Sequence, residues 1–509
     1  MSTLPASLHT ATQSAWKRLT EALAQADNIA EMTKQELPSS NWQELSESRR
    51  EALARVLAIS TFALDTLIRY PQWLAELDIA GELDANPGRD ELASWLNESL
   101  EGAEDEEAMQ RAIRRFRRKR MLGIIWRDLN RASGYSMWDT ARAVSELAEI
   151  CLEAALTWLE QFYAPRWGLP APAMTAPPAS GDPGHGQAGR GELNLSSDID
   201  LIFAFAEKGE TQGGRKSLEH QEYFTKLGQK LIAALDAMTA DGFAFRVDMR
   251  LRPLGDGGPL VGSFSMLSSY YQDQGREWER YAMLKARPVA GDLDAGGELL
   301  AGLRPFVYRK YLDFGAIESL RELKAMINRE VKRKGMQSNI KLGPGGIREV
   351  EFVVQAFQLI RGGRDTELQV TSLKTALNRL PELGLLPQEV VDELLPDYAF
   401  MRDVEHALQA LEDRQTQTLP SDDGDRERVA FAMGHEDWPG LIAQLDEVRD
   451  RVRQHFDAVI ADPEEDIDET NNDSQLGLAQ WRLIWRGELE VQEATAHLLM
   501  RVLTSQKKP

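Results

Sequence analysis

Asp198 and Asp200 stand two residues apart in the run Glu192-Leu-Asn-Leu-Ser-Ser-Asp-Ile-Asp-Leu-Ile-Phe-Ala-Phe, directly ahead of apolar residues. Side chains two apart on a strand project from the same face. No lysine or arginine lies between these two in the chain, so the pair repels itself unless a divalent cation joins it. Hard carboxylate oxygens suit Mg²⁺ held against phosphate. A third acid is expected, because such a site needs about three carboxylates to neutralise and fix its metal. Asp248 supplies it in Phe245-Arg-Val-Asp-Met-Arg-Leu-Arg-Pro. There Val247, Met249 and Leu251 alternate with Asp248, Arg250 and Arg252, so the acid and two guanidiniums share one strand face. Asp198, Asp200 and Asp248 are therefore the candidate metal ligands and catalytic groups. Ser196, Ser197, Arg250 and Arg252 are candidates for phosphate or nucleotide contacts, the arginines through bidentate hydrogen bonds. Lys285 and Arg287 join them as later cations.

Weaker candidates surround this core. Glu277, Glu279 and Arg280 flank Trp278 and are open to two readings, cleft lining or surface charge. Lys341-Leu-Gly-Pro-Gly-Gly-Ile-Arg-Glu-Val-Glu-Phe opens a helix through glycines, and such a turn exposes backbone N–H groups to an anion. Its spacing is not that of a Walker A loop, and Glu349 also suits an ordinary helix start. The block from Arg111 to Arg120 is either a phosphate patch or, as expected here, a solvated helix face whose acidic start suits the dipole. The seven histidines form no ligand pattern.

The elements that must position these residues follow from periodicity. Residues 7–166 show apolar positions at helical spacing, such as Leu53, Val56 and Leu57. Residues 169–191 are rich in Pro, Gly, Ala and Ser. Strands are predicted over 201–205 and 243–251, with an amphipathic helix over 218–238 between them. Residues 264–287 are mixed. Helical periodicity returns over 303–460, and residues 462–473 are acidic and Asn-rich, as a flexible linker is. The fold class is α+β and mostly helical. The expected units are an N-terminal helical region (1–168), an aberrant segment (169–191), a small mixed core (192–302), a helical bundle (303–460) and a linker with a truncated tail (461–509).

Composition bounds the rest. A chain of 509 residues holds about two to four domains. With 59 basic against 81 acidic residues, its net charge of −22 argues against general binding to nucleic acid or anionic membranes. The single Cys151 excludes an internal disulfide framework and fits a reducing, cytoplasmic setting. No apolar run reaches membrane-spanning length.

Four motifs occur in order: the Asp198/Asp200 run, Arg246-Val-Asp-Met-Arg-Leu-Arg-Pro, Tyr271-Gln-Asp-Gln-Gly-Arg-Glu-Trp-Glu-Arg-Tyr-Ala-Met-Leu-Lys-Ala-Arg, and Gly345-Gly-Ile-Arg-Glu-Val-Glu-Phe. Together they resemble the bifunctional glutamine synthetase adenylyltransferase/adenylyl-removing enzymes, from about residue 40 to about residue 460. That family has two similar halves of DNA-polymerase-β-like nucleotidyltransferase fold, and the wording of these motifs is similar to the N-terminal, adenylyl-removing half. The resemblance implies Mg²⁺-dependent phosphorolysis of AMP-tyrosine on glutamine synthetase, releasing ADP. It also implies ATP or ADP and phosphate as ligands, and control by the PII signalling protein and glutamine. Two other readings remain: a different nucleotidyltransferase of the same fold, and a regulatory module that binds PII or glutamine synthetase with an impaired site.

One departure stands out. The family pattern has an apolar strand and a glycine turn with a lysine before the metal motif. Here residues 179–190 read Ala-Ser-Gly-Asp-Pro-Gly-His-Gly-Gln-Ala-Gly-Arg, with Gln187 at the lysine position. With suitably chosen codons, reading the family segment one nucleotide out of register produces this same run, so residues 171–190 are expected to be out of frame. A strand through Gly181-Asp-Pro-Gly is excluded. The expectation is a sheet missing its first strand, an unstable αβ domain and weak phosphorolysis.

Overall fold

In a computed structural model, residues 4–33, 46–132, 134–170, 174–176, 191–308 and 336–460 are described. The out-of-frame reading over 177–190, the 303–460 bundle over 309–335, and the linker and tail from 461 onward lie outside these residues.

The N-terminal region is helical as its periodicity predicts. Helices run over Ala6–Thr33, Glu47–Ile59, Thr61–Arg69, Trp73–Ile79, Arg89–Leu100, Glu106–Leu129 and Met137–Trp167. Several of their starts are set by short polar side chains that satisfy otherwise unpaired N–H groups. Ser60 Oγ accepts from Ala63 N at 3.1 Å and Asp105 Oδ1 from Ala108 N at 2.8 Å. The Glu106–Leu129 and Met137–Trp167 helices pack on each other. Cys151 is fully buried between them and their neighbours, and burial pushes its thiol up to about 12.

Six short strands follow: β1 Met174–Ala176, β2 Ile199–Asp200, β3 Phe203–Phe205, β4 Val247–Asp248, β5 Val261–Ser263 and β6 Ala290–Gly291. Four of them form one sheet in the order β5-β3-β1-β6, with β1 antiparallel to both neighbours and β3 parallel to β5. β2 and β4 form a separate parallel pair. The His220–Asp236 helix covers β3 and β5 with Tyr223, Phe224, Leu227 and Leu231. Phe224 stacks on Phe205 at 5.0 Å. Gly228 lets the helix approach this closely, since a Cβ there would meet the Phe203 ring at 3.0 Å.

Three expectations are corrected here. The sheet does not lack its neighbour: Met174–Ala176, inside the Pro/Gly-rich stretch but ahead of Gly181, pairs Thr175 with Ala204 on one side and Gly291 on the other. Backbone pairing asks little of composition over three residues. The strand over 201–205 shortens to Phe203–Phe205, and Ile199–Asp200 just before it belongs to a different sheet. The strand over 243–251 shrinks to Val247–Asp248, because the chain turns at Met249, where its carbonyl accepts from Arg252 N at 3.3 Å. The mixed stretch resolves into two helices, Phe264–Asp273 and Glu277–Met283, leading to β6.

Beyond the Leu293–Val307 helix, the described bundle comprises Ile347–Arg361, Leu373–Glu382, Gln388–Ala410, Asp423–Ala432 and Trp438–Ile460. It packs back on the N-terminal helices, and one buried apolar cluster runs from Leu4 to Val459. Ser60 Oγ donates to Ala410 O at 2.5 Å across that junction.

The basic block from Arg111 to Arg120 is neither a phosphate patch nor a solvated face. Arg114, Arg117 and Arg120 are buried. Arg114 donates to the carbonyls of Ala234 and Ala237 at 2.9 and 2.6 Å, closing the C-terminal end of the His220–Asp236 helix. Arg117 grips Asp413 bidentately at 2.5 and 3.0 Å, Lys119 pairs with Glu76, and Arg120 with Glu82. The block stitches three regions together. No described helix is long and apolar enough to cross a membrane.

Candidate active site

The β2–β4 pair brings the acids together. Asp200 lies directly opposite Asp248, and Ile199 opposite Val247. Ile199 N donates to Arg246 O and Leu201 N to Asp248 O, both at 2.9 Å. Alternation then sorts the faces: Ile199 enters the core and Val247 packs against it, while Asp198, Asp200 and Asp248 remain half-buried on the other side.

Two of the three carboxylates have acquired arginines. Arg246 Nε donates to Asp198 Oδ1 at 2.8 Å. Arg250 turns back on Asp248, with its backbone N at 2.8 Å from Oδ1 and Nε at 2.7 Å from Oδ2. That hydrogen bond holds the Asp248 carboxyl below its ordinary range. Asp200 has no side-chain hydrogen bond among the described residues. Burial, then the charges of Asp248 and Asp198, push its carboxyl up to about 6, against the weaker pull of Arg250 and Lys341. Among the described residues, no three acidic, histidine or cysteine side chains already converge as a metal cage. The donors still fit Mg²⁺. Arg246 uses only one oxygen of Asp198, the Asp200 carboxyl accepts no hydrogen bond among the described residues, and Arg250, though paired closely with Asp248, is 77% exposed, so water and other ligands can compete for it.

The remaining sequence candidates divide. Ser196 is buried, and its carbonyl and hydroxyl accept from Arg246 Nη2 at 2.5 and 2.8 Å. Ser197 Oγ accepts from Asn194 N at 2.9 Å and shapes the turn. Both serines build the loop. Arg252 reaches Met249 O at 2.7 Å and Asp256 at 3.3 Å. Lys285 is held by Glu192 at 3.0 Å and Glu351 at 3.9 Å, and Arg287 pairs with Glu149. Arg287 and Glu149 line one cavity with Asp200. Glu279 is buried and accepts from Tyr270 OH at 2.9 Å, while buried Arg280 donates to Val307 O at 3.2 Å, so neither lines the cleft. The side chain of Glu277 lies outside the described residues.

The glycine loop is corrected as well. Its N–H groups are already taken. Asn339 Oδ1 accepts from Lys341 N and Leu342 N at 3.0 and 2.7 Å, Asn339 O from Gly343 N at 2.9 Å, and Glu349 from Gly345 N at 3.0 Å. What the loop offers instead is Lys341, whose charge acts on both Asp200 and Glu351 and which has no ion pair among the described residues. Arg246, Lys341 and Glu192 were missed by sequence reasoning. Arg246 was detectable, since it shares the two-residue spacing of Asp248 and Arg250.

Two family models match the chain: glutamate-ammonia ligase adenylyltransferase over residues 50–301, and GlnD PII-uridylyltransferase over residues 321–460. Curated relatives carry the name bifunctional glutamine synthetase adenylyltransferase/adenylyl-removing enzyme. One from Pseudomonas aeruginosa is 49% identical over 499 residues, 98% of this chain and 50% of the relative. One from Hahella chejuensis is 47% identical, covering 90% of this chain and 48% of the relative. The chain belongs to this family. It spans about half the length of the curated relatives it matches. Within this adenylyltransferase family member the site draws on both matched segments. The three aspartates lie in the first, and Lys341 and Glu351 lie in the second.

Proposed function

We propose that this chain regulates glutamine synthetase by removing AMP from its adenylylated tyrosine through Mg²⁺-dependent phosphorolysis. Family membership supports the substrate class, and the observation that carries the chemistry is the Asp200–Asp248 pairing. Two acids on adjacent parallel strands, with Asp198 beside them, leave Asp200 short of positive charge. Asp198, Asp200 and Asp248 would hold Mg²⁺, which when bound supplies charge neutralisation for both the attacking and the leaving oxygens. A phosphate oxygen attacks the adenylyl phosphorus, the bond from phosphorus to the tyrosine oxygen breaks, ADP departs, and the phenolate takes up a proton. Lys341 and Arg250 are placed to orient phosphate oxygens, because neither is locked in a buried ion pair. Positioning and charge dominate this kind of transfer.

The polymerase-β-like arrangement is part of the same proposal, supported by the mixed sheet, the helix over β3 and β5, and the acids at the adjoining two-stranded pair. So are a cytoplasmic setting and control by PII and glutamine, for which no residue is assigned. The decisive assay mixes adenylylated glutamine synthetase with this chain, phosphate and Mg²⁺. ADP release that requires both additions is the expected result. Capture of the synthetase without ADP would replace this reading with the regulatory-module reading, which the arginines already seated on Asp198 and Asp248 favour. ADP formation from a small adenylylated molecule instead would support another nucleotidyltransferase of the same fold.

A further inference from the structure

Buried polar side chains are tolerated when each finds a partner. The Gln388–Ala410 helix carries Tyr398, Arg402, Glu405 and Gln409 at three- and four-residue spacing, and all four are at least nine-tenths buried. The partners of two of them lie in the chain that leads to Asp198. Arg402 Nε donates to Asn194 Oδ1 at 2.6 Å, and its Nη2 to Glu192 O at 2.7 Å. Its Nη1 donates to Tyr398 OH at 2.5 Å, which fixes the guanidinium plane. Gln409 Oε1 accepts from Ser196 N at 2.7 Å. Alternate residues 192, 194 and 196 are thus each tied to one helix face.

These ties matter because β2 is only two residues long. A pair of ladder bonds at Ile199 and Leu201 gives a short strand little register of its own. The last tie, on Ser196 N, falls two residues before Asp198, so slack there is transmitted directly to the carboxylates. We propose that Arg402 and Gln409 are positioning residues for the aspartate centre: they set the 192–196 backbone and hence the spacing of Asp198 and Asp200 from Asp248. This rests on the reading of those aspartates as a metal-binding centre. It adds that the bundle, through one helix, determines the geometry of that centre.

Gln409→Met keeps side-chain length but removes the acceptor, and Gln409→Glu restores an acceptor. In the full chain, Mn²⁺ affinity is read from the paramagnetic resonance of free Mn²⁺, and turnover from ADP release. Gln409→Met is expected to weaken Mn²⁺ binding about tenfold. It should lower kcat about 100-fold, as small misplacements do, with KM for the adenylylated synthetase within about twofold. Gln409→Glu should recover most of both. If Gln409→Met does not fold, Asn194→Ala cuts the Arg402 tie from the loop side and is read in the same way. A folded Gln409→Met chain with wild-type Mn²⁺ affinity and kcat overturns the proposal, even with a lowered Tm. A wild-type chain that binds Mn²⁺ but forms no ADP defeats only the phosphorolysis reading, and the Mn²⁺ comparison still decides positioning. A wild-type chain that binds no Mn²⁺ overturns both.

Discussion

The aspartate site and the arginine seam are both clusters of like charge in the sequence, and the fold treats them in opposite ways. Along the Glu106–Leu129 helix the cations are buried and matched: Arg117 with Asp413, Arg120 with Glu82, Arg114 with the open carbonyls of another helix. At the β2–β4 pair the acids stay half-buried, and Asp200 is left unmatched among the described residues. A saturated cluster is spent on structure. An unsaturated one holds energy that a ligand can release, as perturbed groups at functional sites commonly do.

Substitutions can test that contrast. The largest effect is expected for Asp200→Asn. ADP-forming turnover should fall by at least about 1,000-fold, a loss typical of a removed charge-stabilising group, while Tm does not drop. A fall in both would make Asp200 a structural acid like Glu82. On the seam, Arg117→Met leaves Asp413 buried and alone, and denaturant titration should show a loss of about 3–5 kcal/mol. Adding Asp413→Asn, which tolerates the left-handed backbone at that position (φ 52°), should return at least half of it. A single variant as stable as wild type would remove the seam from the comparison.

A smaller effect concerns pH. The Asp200 carboxyl binds its proton more tightly folded than unfolded, since it is pushed up to about 6 from an ordinary 3.8. Its contribution to stability is therefore full below about pH 4 and lost as pH rises through about 6. Asp200→Asn should exceed wild type by about 2–3 kcal/mol at pH 7.5, with the gap closing towards pH 4. A gap that does not vary with pH would mean the acids do not repel as described. The smallest effect is expected for Arg111→Ala, whose exposed pair with Glu107 is worth less than about 0.5 kcal/mol in thermal melts. A greater loss would extend the seam beyond its buried members.

Sequence reasoning was strongest where the signal is local. The helices to Trp167, the His220–Asp236 helix and the three aspartates follow from spacing alone, and the four motifs pointed to the family. It was weakest where a residue's role depends on a distant partner. Arg117 reads as a surface charge until Asp413, 296 positions on, is known to face it. Lys285 and Arg287 look like free cations because Glu192 and Glu149 lie 93 and 138 residues away. The glycine loop seemed open to an anion because Asn339 and Glu349 could not be seen to fill it. Met174–Ala176 shows the reverse error, where Pro and Gly nearby hid a strand that needs only three residues.

The bond from Ser196 to Gln409 joins positions 213 residues apart. On a ribosome adding about 5–20 residues per second, the 192–196 segment would exist for about 10–40 s before its anchor is made. A nascent chain halted anywhere short of Gln409 should carry all three aspartates in sequence and still lack their native arrangement, so this centre matures only when most of the chain has been synthesised.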